Sequence, residues 1–315
     1  MTAALTLKGV VKCYGRRRAL DGLDLAVPQG AVFGLVGSNG AGKTTALSVS
    51  AGLLRRDGGD IDLLGLGPFR AETHAGRLTL LPQDSRFPPY ARVEDLLAYY
   101  GHLQGVPAAR LATDIDMLLE WVHLTDRRRS PVRTLSHGMN RRLSIAQAFL
   151  GSPDLVLLDE PLNGLDPREA ARMRDLIRER RGRQTIVISS HNLADIEILC
   201  DVVAFVEHGR LVRQDTLDRI VRRSHRLTYV LAAPLSVAAL AEAAPGVAWQ
   251  TSADGREHTA SYAEPWTPES VNAQALPALL KSGAGVLEIR RGSDLETEYL
   301  NMTPPLPPKP VASSG

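Results

Sequence analysis

The residues Gly37-Ser38-Asn39-Gly40-Ala41-Gly42-Lys43-Thr44-Thr45 constrain this chain more than any other stretch of it. They follow an apolar run over 31–36 and precede a helix-compatible segment over 46–54. A strand, a glycine-rich turn ending in Gly-Lys-Thr and then a helix is an arrangement that grips phosphate groups. The glycines leave consecutive backbone N–H groups free to point inward, and the helix N-terminus adds the positive end of its dipole. Lys43 is placed to reach the β- and γ-phosphates of a nucleotide, and Thr44 offers a hydroxyl to Mg²⁺.

Composition sets the outer limits. The 315 residues leave room for about two domains. An apolar fraction of 44% and a charged fraction of 23% suit a globular protein that buries a core. A formal charge of +2 argues against a dedicated nucleic-acid binder, which concentrates basic residues on one surface, so no nucleic-acid partner is expected. Cys13 and Cys200 give no disulfide framework and read as reduced thiols of a cytosolic protein. The N-terminal residues lead directly into a strand-like segment, so no signal peptide is expected. The alanine-rich stretch 230–249 is interrupted by Pro234, Glu242 and Pro245 and does not read as a membrane span.

Apolar runs of strand length recur at 31–36, 78–81, 154–159, 185–189 and 201–207, with helix-length segments between them. That alternation predicts an α/β layer built on a mostly parallel sheet. Strand signals vanish between Pro82 and Leu150, where 93–103, 111–121 and 136–150 read as helices, so a helical insertion over about 84–150 is expected. Asp166-Pro167 opens a further helix, with Asp as N-cap and Pro in the first turn. Beyond about Thr216 the pattern changes. Strands at 227–231, 247–251, 257–262 and 286–290, with helices at 235–243 and 268–281, give the βαββαβ order of a small ferredoxin-like unit. The expected domains are 1–220 and 221–303, followed by a disordered tail over 304–315 that holds five prolines.

Two more segments carry chemistry. The run Asp154-Leu155-Val156-Leu157-Leu158-Asp159-Glu160 reads as a buried strand ending in two carboxylates. Asp159 is suited to organising Mg²⁺, and Glu160 to polarising an attacking water. A second buried strand, Ile186-Val187-Ile188-Ser189-Ser190, delivers His191 at its carboxyl end, the edge where ligands bind in α/β sheets.

With these elements in order, together with Tyr14, Gln83, Leu135-Ser136-His137-Gly138-Met139 and Asn163-Gly164-Leu165-Asp166, the chain resembles the ATP-binding subunit of an ABC transporter over residues 5–213. Met139 and the following Arg141-Arg142-Leu143 are most similar to the ABC-2-type exporters of drugs, antibiotics and polysaccharides. The resemblance implies a P-loop NTPase of the ABC ATPase type, with a mostly parallel core sheet, an antiparallel N-terminal subdomain and the helical insertion. It implies that Tyr14 stacks on adenine. Gln83 would sense Mg²⁺, the nucleophilic water and the membrane partner. His191 would contact the γ-phosphate, and residues 163–166 would couple two ATP sites. Residues 135–139 occupy the place of the family's Leu-Ser-Gly-Gly-Gln signature. Ser136 and Gly138 would then face the γ-phosphate bound by a second copy, so that two chains sandwich two ATP molecules. His137, Met139 and Leu162 depart from the usual Gly, Gln and Thr or Ser.

The implied activity is ATP hydrolysis, with ATP and Mg²⁺, powering an exporter through a separate transmembrane permease. The chain would then be cytoplasmic and peripheral on the inner face of the membrane. A groove formed by Phe87, Pro88, Pro89, Tyr90, Val93 and Leu97 is the expected docking site for that permease. Residues 295–300, Leu-Glu-Thr-Glu-Tyr-Leu, resemble the ending of ABC-2-type exporter subunits. The arginine runs 127–129 and 180–183 read as solvated loop charges. Two other classes stay open. One is a soluble ABC ATPase acting on nucleic acid or ribosomes, although the chain lacks a tandem second cassette and any heptad run between Lys43 and Ser136. The other is a nucleotide-sensing regulator with little turnover.

Overall fold

A computed structural model describes residues 2–222, 226–263 and 265–291, together with Leu295 and Tyr299. The chain divides into two compact units, Met1–Thr216 and Leu217–Gly315.

In the first unit, strands β1 (Ala3–Tyr14), β2 (Arg17–Pro28), β3 (Val32–Val36), β4 (Gly58–Leu63) and β5 (Leu78–Leu81) precede a helical stretch. Strands β6 (Leu155–Asp159), β7 (Thr185–Ser190), β8 (Val202–Glu207) and β9 (Arg210–Thr216) follow it. Helix α1 (Lys43–Ser50) leaves β3, and the short α2 (Ala71–His74) precedes β5. Helices α3 (Val93–Leu103), α4 (Ala108–Trp121) and α5 (His137–Phe149) make up the insertion. Helices α6 (Pro167–Arg178) and α7 (Leu193–Leu199) join the later strands.

The expected core sheet is present, in the order β5-β6-β7-β3-β8-β9. Its first five strands are parallel, and β9 closes the edge antiparallel to β8. Every residue of β3 and β6 is buried, on both faces of the sheet, which is why these strands read as unbroken apolar runs; one face shares its core with β1, β2, β4 and α1. A second sheet, β2-β1-β4, is antiparallel throughout. Register decides where the chemistry gathers. Val36 pairs with Ser190 and Asp159 with Ser189, so the carboxyl ends of β3, β7 and β6 lie side by side.

Helix α4 begins at Ala108, earlier than the expected 111, because its exposed first turn carries no apolar signal and Pro107 stands just before it. Asp166 caps α6 as expected, accepting from the N–H groups of Arg168 and Glu169. Strand β9 has no counterpart in the sequence reading, since an edge strand of alternating polar residues lacks the buried-strand signature.

The second unit holds α8 (Leu217–Arg222), β10 (Arg226–Leu231), α9 (Ala238–Ala243), β11 (Ala248–Thr251), β12 (Glu257–Ser261), α10 (Pro268–Ser282) and β13 (Val286–Arg291). Its sheet runs β11-β12-β10-β13 with every neighbour antiparallel, the interleaved order of a split βαβ unit. Leu227, Tyr229 and Leu231 of β10 belong to one core with Leu240, Val271, Ala275 and Leu279 from the two helices. Helix α10 starts at a reciprocal Thr267–Ser270 capping box and stops at Gly283. Of the expected exporter-type ending at 295–300 only Leu295 and Tyr299 are described, and the proline-rich tail 304–315 lies outside the described residues. Among the described residues, no helix is long and apolar enough to cross a membrane.

Candidate active site

The phosphate-gripping turn sits in tight surroundings. A Cβ on Gly37 would lie 2.2 Å from the Val206 carbonyl oxygen, so only glycine lets the loop leave β3 against β8. At Gly42 φ is +111°, and a Cβ there would meet the Ala19 carbonyl at 2.6 Å. Ser38 is pinned to β8, its N–H 3.1 Å and its Oγ 3.0 Å from the two carboxylate oxygens of Glu207. No side chain caps the N-terminus of α1, whereas Ser136 and Asp166 cap α5 and α6. A helix end without a side-chain cap presents its N–H groups to an anion. Lys43, only 6% exposed, extends its ammonium along the loop, donating to the carbonyls of Gly37 at 2.8 Å and Ser38 at 3.3 Å.

The carboxylates come from the end of β6. Asp159 is 2% exposed and accepts a short hydrogen bond from the Ser189 hydroxyl. Glu160 follows in a left-handed conformation, φ +47°, and is also buried. Its N–H donates to Ser189 Oγ at 2.9 Å. Its Oε1 lies 3.5 Å from Lys43 Nζ and its Oε2 lies 3.0 Å from His191 Nδ1. An ionised carboxylate only accepts, so His191 offers its proton at Nδ1. The carboxylate is therefore held on one side by a cation and on the other by a half-exposed imidazole.

A cavity of about 350 Å³ opens above these groups. Tyr14, Asn39, Gly40, Gly42, Lys43, Thr44, Thr45, Gln83 and Glu160 line it, so most of the sequence-derived candidates converge on one space. Gly37, Ser38 and Ala41 complete the turn, Asp159 lies one residue before Glu160 on β6, and His191 joins through its bond to Glu160. Tyr14 is 49% exposed, an aromatic face available to a planar base. Arg17 and Ala19 also line the cavity, and the sequence reading passed over both. Arg17 donates to the Gly40 carbonyl at 3.3 Å; its only signal was its place just across the β1–β2 turn from Tyr14.

Ser136 and Gly138 do not line this cavity. Ser136 caps α5 by accepting from the Met139 N–H at 3.2 Å, and a Cβ on Gly138 would approach Glu169 Cγ to 2.9 Å. The side chain of His137 is exposed, and its Cε1 would lie 3.9 Å from a Cβ placed on Gly164, an ordinary contact distance. Beside Gln83 a second cavity, about 600 Å³, is lined by Phe87, Pro89, Arg133, His137 and Asn140 among others. Tyr90 is 79% exposed, with the Arg133 guanidinium 5.5 Å from its ring centre. Two members of the expected groove, Val93 and Leu97, are instead fully buried, because they face the core of the helical insertion. In the arginine runs Arg129, Arg181 and Arg183 are exposed as expected, whereas Arg180 lies 4.1 Å over the ring of Trp121 and Arg128 pairs with Glu94 and Asp116.

Residues 20–163 match the family model for the ABC transporter ATP-binding domain, described as "ABC transporter". A Nod factor export ATP-binding protein I of Paraburkholderia xenovorans (strain LB400) is 32% identical over 304 residues, 96% of this chain and 97% of that protein. The chain belongs to the ATP-binding subunits of ABC transporters. A daunorubicin resistance ATP-binding protein of Streptomyces coeruleorubidus is 39% identical over 220 residues, 69% of each chain. A solved ATP-binding subunit of an ABC transporter, 29% identical, superposes with a TM-score of 0.63 over 70% of this chain and 92% of its own. ATP hydrolysis is the activity of this family, and the exporter branch indicated by Met139 and Arg141-Arg142-Leu143 is the branch of these relatives.

Proposed function

We infer that this ABC subunit hydrolyses ATP to power export, pairing with a second copy around two nucleotides and docking on a separate membrane permease at the cytoplasmic face. The observation that carries the reading is the buried carboxylate of Glu160, set between Lys43 and His191 at the wall of the cavity. In this reading Lys43 and the N-terminus of α1 bind the terminal phosphates, and Tyr14 stacks on the base. Glu160 accepts a proton from the attacking water, and His191 fixes the orientation of its carboxylate. The donors available to Mg²⁺ are oxygens: the Thr44 hydroxyl, the Asp159 carboxylate and the Gln83 amide. Ser189 occupies one carboxylate oxygen of Asp159 and leaves the other for a hydrated cation. When bound, Mg²⁺ offsets the phosphate charge. Among the described residues no cluster of three His, Cys, Asp or Glu could hold a metal, which suits a cation carried largely by phosphate and water.

Glu160→Gln tests the catalytic part. ATP binding should persist while steady-state turnover falls by about 10²–10⁴-fold, the usual worth of a positioned proton acceptor. The same variant with ATP should double its mass in light scattering. Turnover within about threefold of the parent would remove Glu160 from this role. The export part is tested at the cavity beside Gln83, with exposed Tyr90 on its flank. Tyr90→Glu should leave ATP binding intact and release the chain from membranes that hold its permease. Undiminished membrane association would move the docking site elsewhere.

A further inference from the structure

Arg141 lies on α5, is 8% exposed, and makes its hydrogen bonds with main-chain carbonyls. Its Nε donates to Pro161 O at 2.7 Å and its Nη2 to Glu160 O at 2.7 Å. Its Nη1 reaches Gln83 O at 3.1 Å. Arg142, the next residue, turns to a different task, donating to the carbonyls of Val122 and His123 and approaching the Glu169 carboxylate to 3.3 Å. One arginine holds helix ends together. The other joins the two segments that bring Gln83 and Glu160 to the cavity.

The conformation of Glu160 explains why such a clamp is needed. A non-glycine residue at φ +47° persists only where its surroundings determine it from several sides. Ser189 holds the Glu160 N–H, and Arg141 holds the Glu160 carbonyl. Burial disfavours the charged guanidinium, and the nearby carboxylates Asp159, Asp84 and Glu160 oppose that cost without pairing with it directly. A planar fork with five donors can serve both segments at once, whereas a lysine ammonium offers three donors from a single atom.

We propose that Arg141 is a positioning residue for ATP hydrolysis: through its guanidinium, α5 fixes the backbones of Glu160 and Gln83 so that the Glu160 carboxylate stands between Lys43 and His191. The proposal rests on the reading of Glu160 as proton acceptor. It also makes α5, whose N-terminus carries Ser136, a determinant of geometry within its own subunit.

Arg141→Gln and Arg141→Lys, made in the full chain, test it by Mg-ATP turnover and by titration with a fluorescent ATP analogue. A carboxylate displaced by about 1 Å costs on the order of 10²-fold in rate, so kcat should fall about 10–100-fold with KM within about threefold. Arg141→Lys should retain more activity than Arg141→Gln. Added to Glu160→Gln, Arg141→Gln should remove less than about threefold more, because residues acting through one another are not additive. Unchanged kcat would overturn the proposal, as would an independent, multiplicative loss in the double variant. Loss of analogue binding in both single variants would do the same, since it would make the role structural. If Glu160→Gln keeps parental turnover, the reading of Glu160 fails and this proposal fails with it. A dead Glu160→Gln beside a fully active Arg141→Gln would sink this proposal alone.

Discussion

The two units bury polar groups in opposite ways. In the first, Lys43, Arg141, Asp159 and Glu160 are all buried, and all four belong to the cavity or to the segments that frame it. In the second, buried Tyr229 and His258 are closed into neutral pairs. The Tyr229 hydroxyl donates to Asn272 Oδ1 at 2.7 Å, and burial pushes its phenol up, so it stays protonated. The ring of His258 sits 3.0 Å from the Thr251 hydroxyl and 3.1 Å from the Gly255 carbonyl. A carbonyl only accepts, so Nε2 carries a proton; burial disfavours the charged ring, and in the neutral ring Nδ1 accepts from Thr251. The buried charges of the first unit that lie away from the cavity are all bonded: Asp114 to Arg110, Asp195 to Arg174, and Arg142 to the Val122 and His123 carbonyls.

The strongest way to break this contrast is Lys43→Ala. It removes the lysine that lines the cavity and leaves Glu160 buried without the cation beside it, so nucleotide affinity should fall by about 10²-fold or more. Parental affinity in a fluorescent-nucleotide titration would show the buried charge to be incidental.

Mild acid should separate the units. Burial lowers the pKa of His258 below its ordinary 6.5. As pH falls through that value, the unfolded chain takes up the proton before the folded one does, so stability present above about pH 6.5 is lost on acidification. The resolved carboxylate shifts of the first unit, at Asp21 and Asp57, are downward through bonds to Arg18 and to the Cys13 N–H. Their contribution is kept until the pH drops below the ordinary 3.8. Denaturant unfolding followed by Trp249 and Trp266 should therefore weaken between about pH 7 and 5.5, and His258→Gln should flatten the trend. Equal acid sensitivity with and without His258 would refute the assignment.

The smallest effect is expected at His137, an exposed side chain with ordinary contact distances around it. His137→Gly should change ATP turnover by less than about threefold, within the range of surface substitutions. A larger rise would mean that the imidazole obstructs pairing of two copies.

Legibility followed the same division. The parallel strands were readable because residues buried on both faces must be apolar, and the end of β6 was readable because Asp159 and Glu160 interrupt such a run. Strand β9 escaped because an edge strand needs no apolar face. Arg141 and Arg180 look like any surface arginine in one dimension, since partners such as the Glu160 carbonyl or the Trp121 ring are supplied only by tertiary structure. Val93 and Leu97 failed as groove residues for the converse reason: helical periodicity marks an apolar face without saying whether core or partner covers it.

The left-handed backbone at Glu160 sets a conflict for anyone seeking a sturdier version of this protein. Alanine and glycine both delete the carboxylate, but glycine also releases backbone strain of about 1 kcal/mol. Selection for heat resistance alone would thus favour glycine over alanine at position 160, although neither keeps the carboxylate beside Lys43. Directed evolution of this subunit has to screen for turnover and durability together.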